Sequence, residues 1–155
     1  MIKIFSIILI LNISLMAQEL KIKAKNFHSN QKTGVSVFNG DVNIVKENDE
    51  LNASKVTVYT DKDQKPLKFV AQGEVSFHIT TQDGITYVGK ADKAIYKPTQ
   101  KDYFFYGNVY LRQVGEKNEI IGDEVVLKAI DGKAYANSKT NKPVMMIFDL
   151  DEKEK

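Results

Sequence analysis

The sequence has no cysteine and no tryptophan, and it has only two histidines and three prolines in 155 residues. Without cysteine there is no disulfide, so the fold depends on its hydrophobic core and its backbone hydrogen bonds. With His28 and His78 as the only imidazoles, and no Gly-x-Ser-x-Gly motif, neither a zinc site nor a hydrolase triad can be assembled. We therefore predict a protein that is not an enzyme and has no metal or cofactor.

Charge of one sign is also lacking. The 22 basic and 20 acidic residues give a formal net charge of +2, with no basic cluster interleaved with aromatic residues. Such a surface excludes a nucleic-acid partner. Residues 84–91 match a phosphate-binding loop at their glycines and lysine, but Ala91 replaces the Ser or Thr that would hold magnesium, and we read them as a strand.

The chain lacks an apolar run long enough to span a bilayer, which takes about 20 residues. Its first 17 residues instead have a basic start at Lys3, an apolar stretch from Ile4 to Met16 and a small residue, Ala17. This pattern is typical of a signal peptide that is removed on export. We predict a signal peptide over residues 1–17, a domain over residues 18–150 and a flexible charged tail over residues 151–155.

A seven-residue motif occurs three times in the exported part. Its copies are residues 38–44 (FNGDVNI), 71–77 (AQGEVSF) and 105–111 (FYGNVYL), and their glycines lie 33 and 34 residues apart. Within each copy, apolar residues and glycine share one parity and polar residues take the other. Period two indicates a strand with one buried face. The chain is therefore a repeat of β-units.

A second short element alternates with the first. It comprises residues 24–27 (AKNF), 53–56 (ASKV), 91–94 (ADKA) and 122–125 (GDEV), in which a small residue and the next apolar residue lie three apart. A strand keeps its apolar side buried through such a step only at a bulge or corner. We predict that these four elements are the corners of a jelly roll or sandwich.

Turn signals separate the strands at residues 30–34, 47–50, 61–66, 82–84, 97–100, 115–118 and 131–132. No stretch has sustained helical periodicity. The spacing predicts an all-β fold of antiparallel hairpins with strands of roughly 6 to 10 residues.

The two alternating elements and the signal peptide resemble the LptA-type, OstA-like family of lipopolysaccharide-transport proteins, over residues 20 to about 150. The resemblance implies a twisted, open β-jelly roll whose apolar interior receives the acyl chains of lipid A. It also implies a periplasmic location. From the inward parity we expect the lipid-binding residues to be Phe38, Val42, Ile44, Phe69, Val75, Phe77, Ile79, Phe105, Val109 and Leu111. From the residues alone, a closed core that is filled by its own side chains remains the alternative.

The family also implies partners. We expect an LptC-like inner-membrane protein at the N-terminal edge of the sheet, an LptD-like outer-membrane protein at the C-terminal edge, and head-to-tail association of copies. The first strand, residues 20–25, and the last apolar segment, residues 144–148, are the edges in question, and the last one carries no charge that would block strand pairing. The alternative from the residues is an envelope scaffold that links proteins and binds no lipid.

Overall fold

The computed structural model describes residues 19–150, so the predicted signal peptide and charged tail lie outside the described residues. Within this range the chain forms ten β-strands and no helix that could cross a membrane. The strands are β1 (Leu20–Lys23), β2 (Asn26–Asn30), β3 (Val35–Lys46), β4 (Asp49–Thr60), β5 (Pro66–Thr80), β6 (Thr86–Lys97), β7 (Asp102–Gln113), β8 (Glu119–Lys128), β9 (Lys133–Asn137) and β10 (Met145–Ile147).

All the strands belong to one antiparallel sheet in the order β1-β3-β4-β5-β6-β7-β8-β10. The short strands share their neighbours, because β1 and β2 both pair with β3, and β9 and β10 both pair with β8. Strands β3 to β8 follow one another as hairpins, and a connection falls at each of the seven predicted turns. The all-β prediction is confirmed. The first and last strands lie at opposite ends of the sheet.

The repeated motif and the corner element face each other across each pair of adjacent strands from β3 to β8. Phe38 pairs with Val56, and Val42 pairs with Ala53, so a step of four residues on β3 opposes a step of three on β4. The extra residue is a β-bulge, which bends the strand. The same register shift recurs between β5 and β6 and between β7 and β8.

The position of the bulge differs from the sequence prediction. We expected the irregularity in the three-residue corner element, but the extra residue lies in the glycine motif of the opposing strand. Strands are also longer than predicted, with 12 residues in β3, β4, β6 and β7 and 15 in β5. The reason is that the bulge bends the strand without ending it.

The bend folds the sheet over on itself. Phe77 pairs with Gly89 and Phe105 pairs with Ala94, so in a flat sheet these two rows would lie about five residues, or roughly 16 Å, apart. Their rings are instead stacked with centroids 4.1 Å apart. The sheet therefore forms two layers. Layer A contains the strand segments 26–39, 55–72, 93–106 and 124–137, and layer B contains 20–23, 42–53, 75–91, 109–122 and 145–147.

Apolar side chains of the two layers meet in one core. Phe105, Val109, Val125, Leu127 and Val56 have no accessible surface. The protein is thus a twisted β-jelly roll in which every long strand contributes to both layers.

Glycine is required at the bulge by backbone conformation and by space. Gly107 has φ of +77°, and a Cβ atom there would overlap the carboxylate of Asp92 on the neighbouring strand. Asn108, which follows it at φ of +47°, donates from Nδ2 to Asp92 at 2.9 Å. Asn and Asp adopt this left-handed conformation more readily than other side chains. This explains why Gly is followed by Asp or Asn in two of the three motifs.

We predict that Gly107→Ala lowers the free energy of unfolding more than Gly115→Ala. Gly115 has φ of +84° with nothing within 4 Å of a Cβ atom, so its replacement costs only the positive φ, about 1 to 2 kcal/mol. Gly107→Ala adds the clash with Asp92. Urea denaturation measures both, and equal losses would contradict a packing role for this glycine.

Candidate functional site between the two layers

All ten residues proposed from the sequence as lipid contacts belong to the interior between the layers. Eight of them are buried, and Phe38 and Ile44 are half-buried and packed against the core. The structure therefore brings the set together. It does not leave the whole set accessible to a ligand, because most of these side chains pack against one another.

A cavity of about 50 Å³ lies between the layers toward the N-terminal end of the sheet. Its lining includes three of the ten residues, Ile44, Phe69 and Ile79. Apolar side chains that the sequence analysis did not place in the site complete the lining, chiefly Leu20 and Leu51. The other seven of the ten fill the core beyond this cavity.

Tyr103 is the main residue of the site that the sequence analysis did not identify. It is only 8% exposed and lines the cavity. Its odd number gives it the same inward parity as Phe105 on the same strand, so the pattern could have identified it. The tyrosine is useful at this place because a buried ring still offers a polar hydroxyl at its tip.

Beside the apolar cavity, a polar cleft of about 260 Å³ opens between the rims of the two layers. Lys46, Asp49, Tyr96 and Tyr103 belong to both linings, so the cleft leads directly to the cavity. Lys101 stands on the layer A rim of the cleft. The site as a whole is apolar inside, and its polar opening carries two lysines and two carboxylates.

Three ionisable groups at this junction, Asp49, Tyr96 and Tyr103, have pKa values that are raised chiefly by burial. Burial raises the pKa of Asp49 above its ordinary value, against the opposing effects of the hydrogen bond from Thr80 N (2.8 Å) and of the Lys46 charge. Burial also raises the pKa of Tyr103, with smaller contributions from the neighbouring Tyr96 and Asp49. The tyrosine hydroxyls therefore stay neutral donors at the mouth of the cavity.

Metal-ligating side chains are not clustered in the described part of the chain. Among residues 19–150, no group of three or more His, Asp or Glu side chains is arranged to hold a metal ion. The site offers apolar surface, hydroxyl groups, two lysines and the carboxylates of Glu47 and Asp49. Such a site can hold an amphiphile, and it can bind without reacting.

The free end of the sheet at β10 is apolar. Met145, Met146, Ile147 and Phe148 are each between 41% and 58% exposed, and β10 pairs on one side only, with β8. At the other end, β1 presents Lys21 and Lys23 to solvent and pairs only with β3. The two ends are different surfaces with free backbone groups.

These features define a class of protein, the one-sheet β-jelly roll with an apolar interior and two open edges. Residues 21–133 match the family model described as LptA/(LptD N-terminal domain) LPS transport protein. The chain belongs to this family, and it has a role in lipopolysaccharide transport. The family is one of transport proteins and not of enzymes. The resemblance seen in the sequence is confirmed.

Solved structures give the same fold. Nineteen chains match, among them the crystal structure of LptH, the LptA homologous periplasmic component of the conserved lipopolysaccharide transport device from Pseudomonas aeruginosa. It matches with a TM-score of 0.74 and 19% identity, covering 85% of this chain and 96% of that chain. A search of curated proteins gave no match.

We predict opposite pH effects for two aspartates. The raised pKa of Asp49 means that folding favours its protonated form, so the stability it contributes is present below its ordinary value of 3.8 and is lost as the pH rises through the raised value. Asp49→Asn should therefore gain in stability relative to the parent as the pH rises to neutral.

Asp123 provides the matched control with the reverse sign. Its pKa is lowered, first by the hydrogen bond from Lys139 N at 2.9 Å and then by Thr140, so its contribution is present above 3.8 and is lost as the pH falls through the lowered value. Asp123→Asn should lose stability relative to the parent at neutral pH. Urea denaturation from about pH 3 to pH 7 measures both, and parallel curves for both variants would contradict the assignment.

Proposed function

We propose that this protein carries lipopolysaccharide by holding the acyl chains of lipid A between the two layers of its jelly roll. The observation that supports this most is the joint lining of cavity and cleft. Apolar side chains line the inner space, and the polar opening carries Lys46 and Lys101 together with Glu47 and Asp49. This is the polarity order of an amphiphile that enters by its chains.

The energetics favour such a site. Each methylene that leaves water contributes about 0.8 kcal/mol, so several acyl chains are held firmly without any specific polar contact. The lysines at the rim would meet the anionic head group. Of the ten residues expected to contact lipid, Ile44, Phe69 and Ile79 would be reached first, because they already line the cavity.

One observation favours the alternative of a scaffold that binds no lipid. The cavity measures about 50 Å³, whereas pockets for drug-sized ligands measure about 300 to 1,000 Å³. A carrier must therefore separate its layers to accept a chain, while a scaffold need not. Measured lipid binding decides between the two.

We further propose that the protein works in the periplasm and passes its lipid between partners at its two edges. The LptH match, named as a periplasmic component, supports the location. An LptC-like inner-membrane protein would add to the edge formed by β1 and β2, and an LptD-like outer-membrane protein to the edge formed by β9 and β10. Free N–H and C=O groups at an edge favour such β-augmentation.

The same edges support head-to-tail association of copies. Because the β10 end is apolar and the β1 end carries lysines, the two surfaces differ, and contact between them is heterologous. A heterologous contact that does not close gives open filaments and not dimers. A bridge of several copies would follow.

We predict that Ile44→Glu weakens lipopolysaccharide binding at least about tenfold, which corresponds to about 1.4 kcal/mol. The substitution places a carboxylate in the apolar lining of the cavity, where it must stay in water or be buried at a cost. Val45→Glu is the matched control, because Val45 is the next residue on β3, is also half-buried and points to the outer face. Binding to labelled lipopolysaccharide, with circular dichroism for folding, is the measurement. Equal binding by both variants would remove the interior site.

We predict that Met146→Lys reduces concentration-dependent association. A lysine on an edge strand opposes pairing with another strand, and Met146 is 54% exposed on β10. Val114→Lys is the control, since Val114 is 46% exposed on the β7–β8 connection and on neither edge. Sedimentation velocity at rising concentration measures both. A parent that stays monomeric at high micromolar concentration would rule out association through β10.

A further inference from the structure

Two loops of opposite layers touch at the open side of the jelly roll, which is the side away from the bends. Loop 81–85 joins β5 and β6 on the layer B rim, and loop 129–132 joins β8 and β9 on the layer A rim. Gln82 N donates a backbone hydrogen bond of 2.8 Å to Ala129 O. Ala129 N in turn donates to Lys101 O at 3.1 Å, which ties the contact to the next loop of layer A.

Hydrogen bonds within loop 81–85 stabilise its conformation. Thr81 is a polar side chain that is only 3% exposed, and its hydroxyl donates to Ile85 O at 3.1 Å and also contacts the Asp83 carboxylate. The carboxylate lies against Gly132 of the opposite rim, where Oδ2 would be 2.8 Å from a Cβ atom. Side-chain and backbone contacts therefore cross the opening together.

A second contact crosses the opening at the polar cleft. Tyr103 of layer A and Asp49 of layer B both line the cleft, and Asp49 contributes to the raised pKa of Tyr103. Asp49 also accepts a hydrogen bond from Thr80 N at 2.8 Å. Thr80 directly precedes loop 81–85, so the two crossings are adjacent. We call residues 81–85 and 129–132, together with Asp49 and Tyr103, the rim latch.

We propose that the rim latch keeps the jelly roll closed when it holds no lipid and has to part before an acyl chain can enter between the layers. This inference rests on the proposed function. It is supported by the position of the latch across the opening and by the 50 Å³ cavity behind it, which is too small for a chain. Few hydrogen bonds form the latch, so local opening can release it while the strand ladders stay intact.

A disulfide across the rims tests the proposal. In Asp83→Cys/Gly132→Cys the two residues are within reach of a disulfide, because Cγ of Asp83 lies 3.4 Å from the Cβ position of residue 132. The parent has no cysteine, so no other thiol competes. The control is Lys55→Cys/Gln72→Cys, whose residues pair on the exposed outer face of layer A.

The readout is the rate at which fluorescently labelled lipopolysaccharide enters each protein, oxidised and then reduced. We expect the oxidised latch variant to load at least tenfold more slowly and to regain its rate on reduction, with no change in the control. Equal rates for the oxidised and reduced latch variant would overturn the latch while the carrier function stands. A parent that takes up no lipid in either state would overturn both.

Tyr103→Phe tests the latch without a disulfide. The change removes the hydroxyl that shares the cleft with Asp49 and keeps the ring in the core, so we expect loading at least threefold faster than in the parent. Tyr135→Phe is the control, because Tyr135 is 50% exposed on β9. An unchanged or slower rate in Tyr103→Phe would overturn the role of this contact.

Discussion

The fold depends on a difference between paired strands: a step of four residues on one strand lies opposite a step of three on its neighbour. Phe38 and Val42 can both face the interior beside Val56 and Ala53 only if β3 has one residue more than β4 between those positions. The bulge at Gly40 absorbs that residue and bends the strand. Because the same count recurs along the sheet, the bends align and fold one sheet into two layers. Core, cavity and rim all follow from this alignment.

Much of this was accessible from the sequence. The period of two, the seven turns and the spacing of 33 and 34 residues between motif glycines are local patterns, and they predicted the strands, their order as hairpins and the inward set. The assignment of the bulge to the glycine motif was not accessible, because it depends on which strand yields when the two steps differ. The positive φ values of Gly107 and Asn108 give the answer only in three dimensions.

The sequence predicted which residues face the interior, but it did not predict how much of the interior is open. Inward parity placed Phe77 and Phe105 correctly in the interior, but parity cannot tell a side chain that lines a space from one that fills it. These two rings stack with their centroids 4.1 Å apart, so they fill a part of the interior that was expected to be open. The sequence pattern likewise gives no information about contacts between loops. Nothing about residues 81–85 in the sequence indicates that they meet residues 129–132.

The aligned bends make the two dimensions of the molecule independent of each other. The width of the interior is set by the number of residues on either side of the bulge, whereas the length of the molecule is set by the number of strands, each adding about 4.8 Å. A tandem duplication of one motif unit would therefore extend the barrel-like interior along its axis without altering its cross-section. Chain length in such an architecture is free to vary in evolution while the space available to a ligand stays constant.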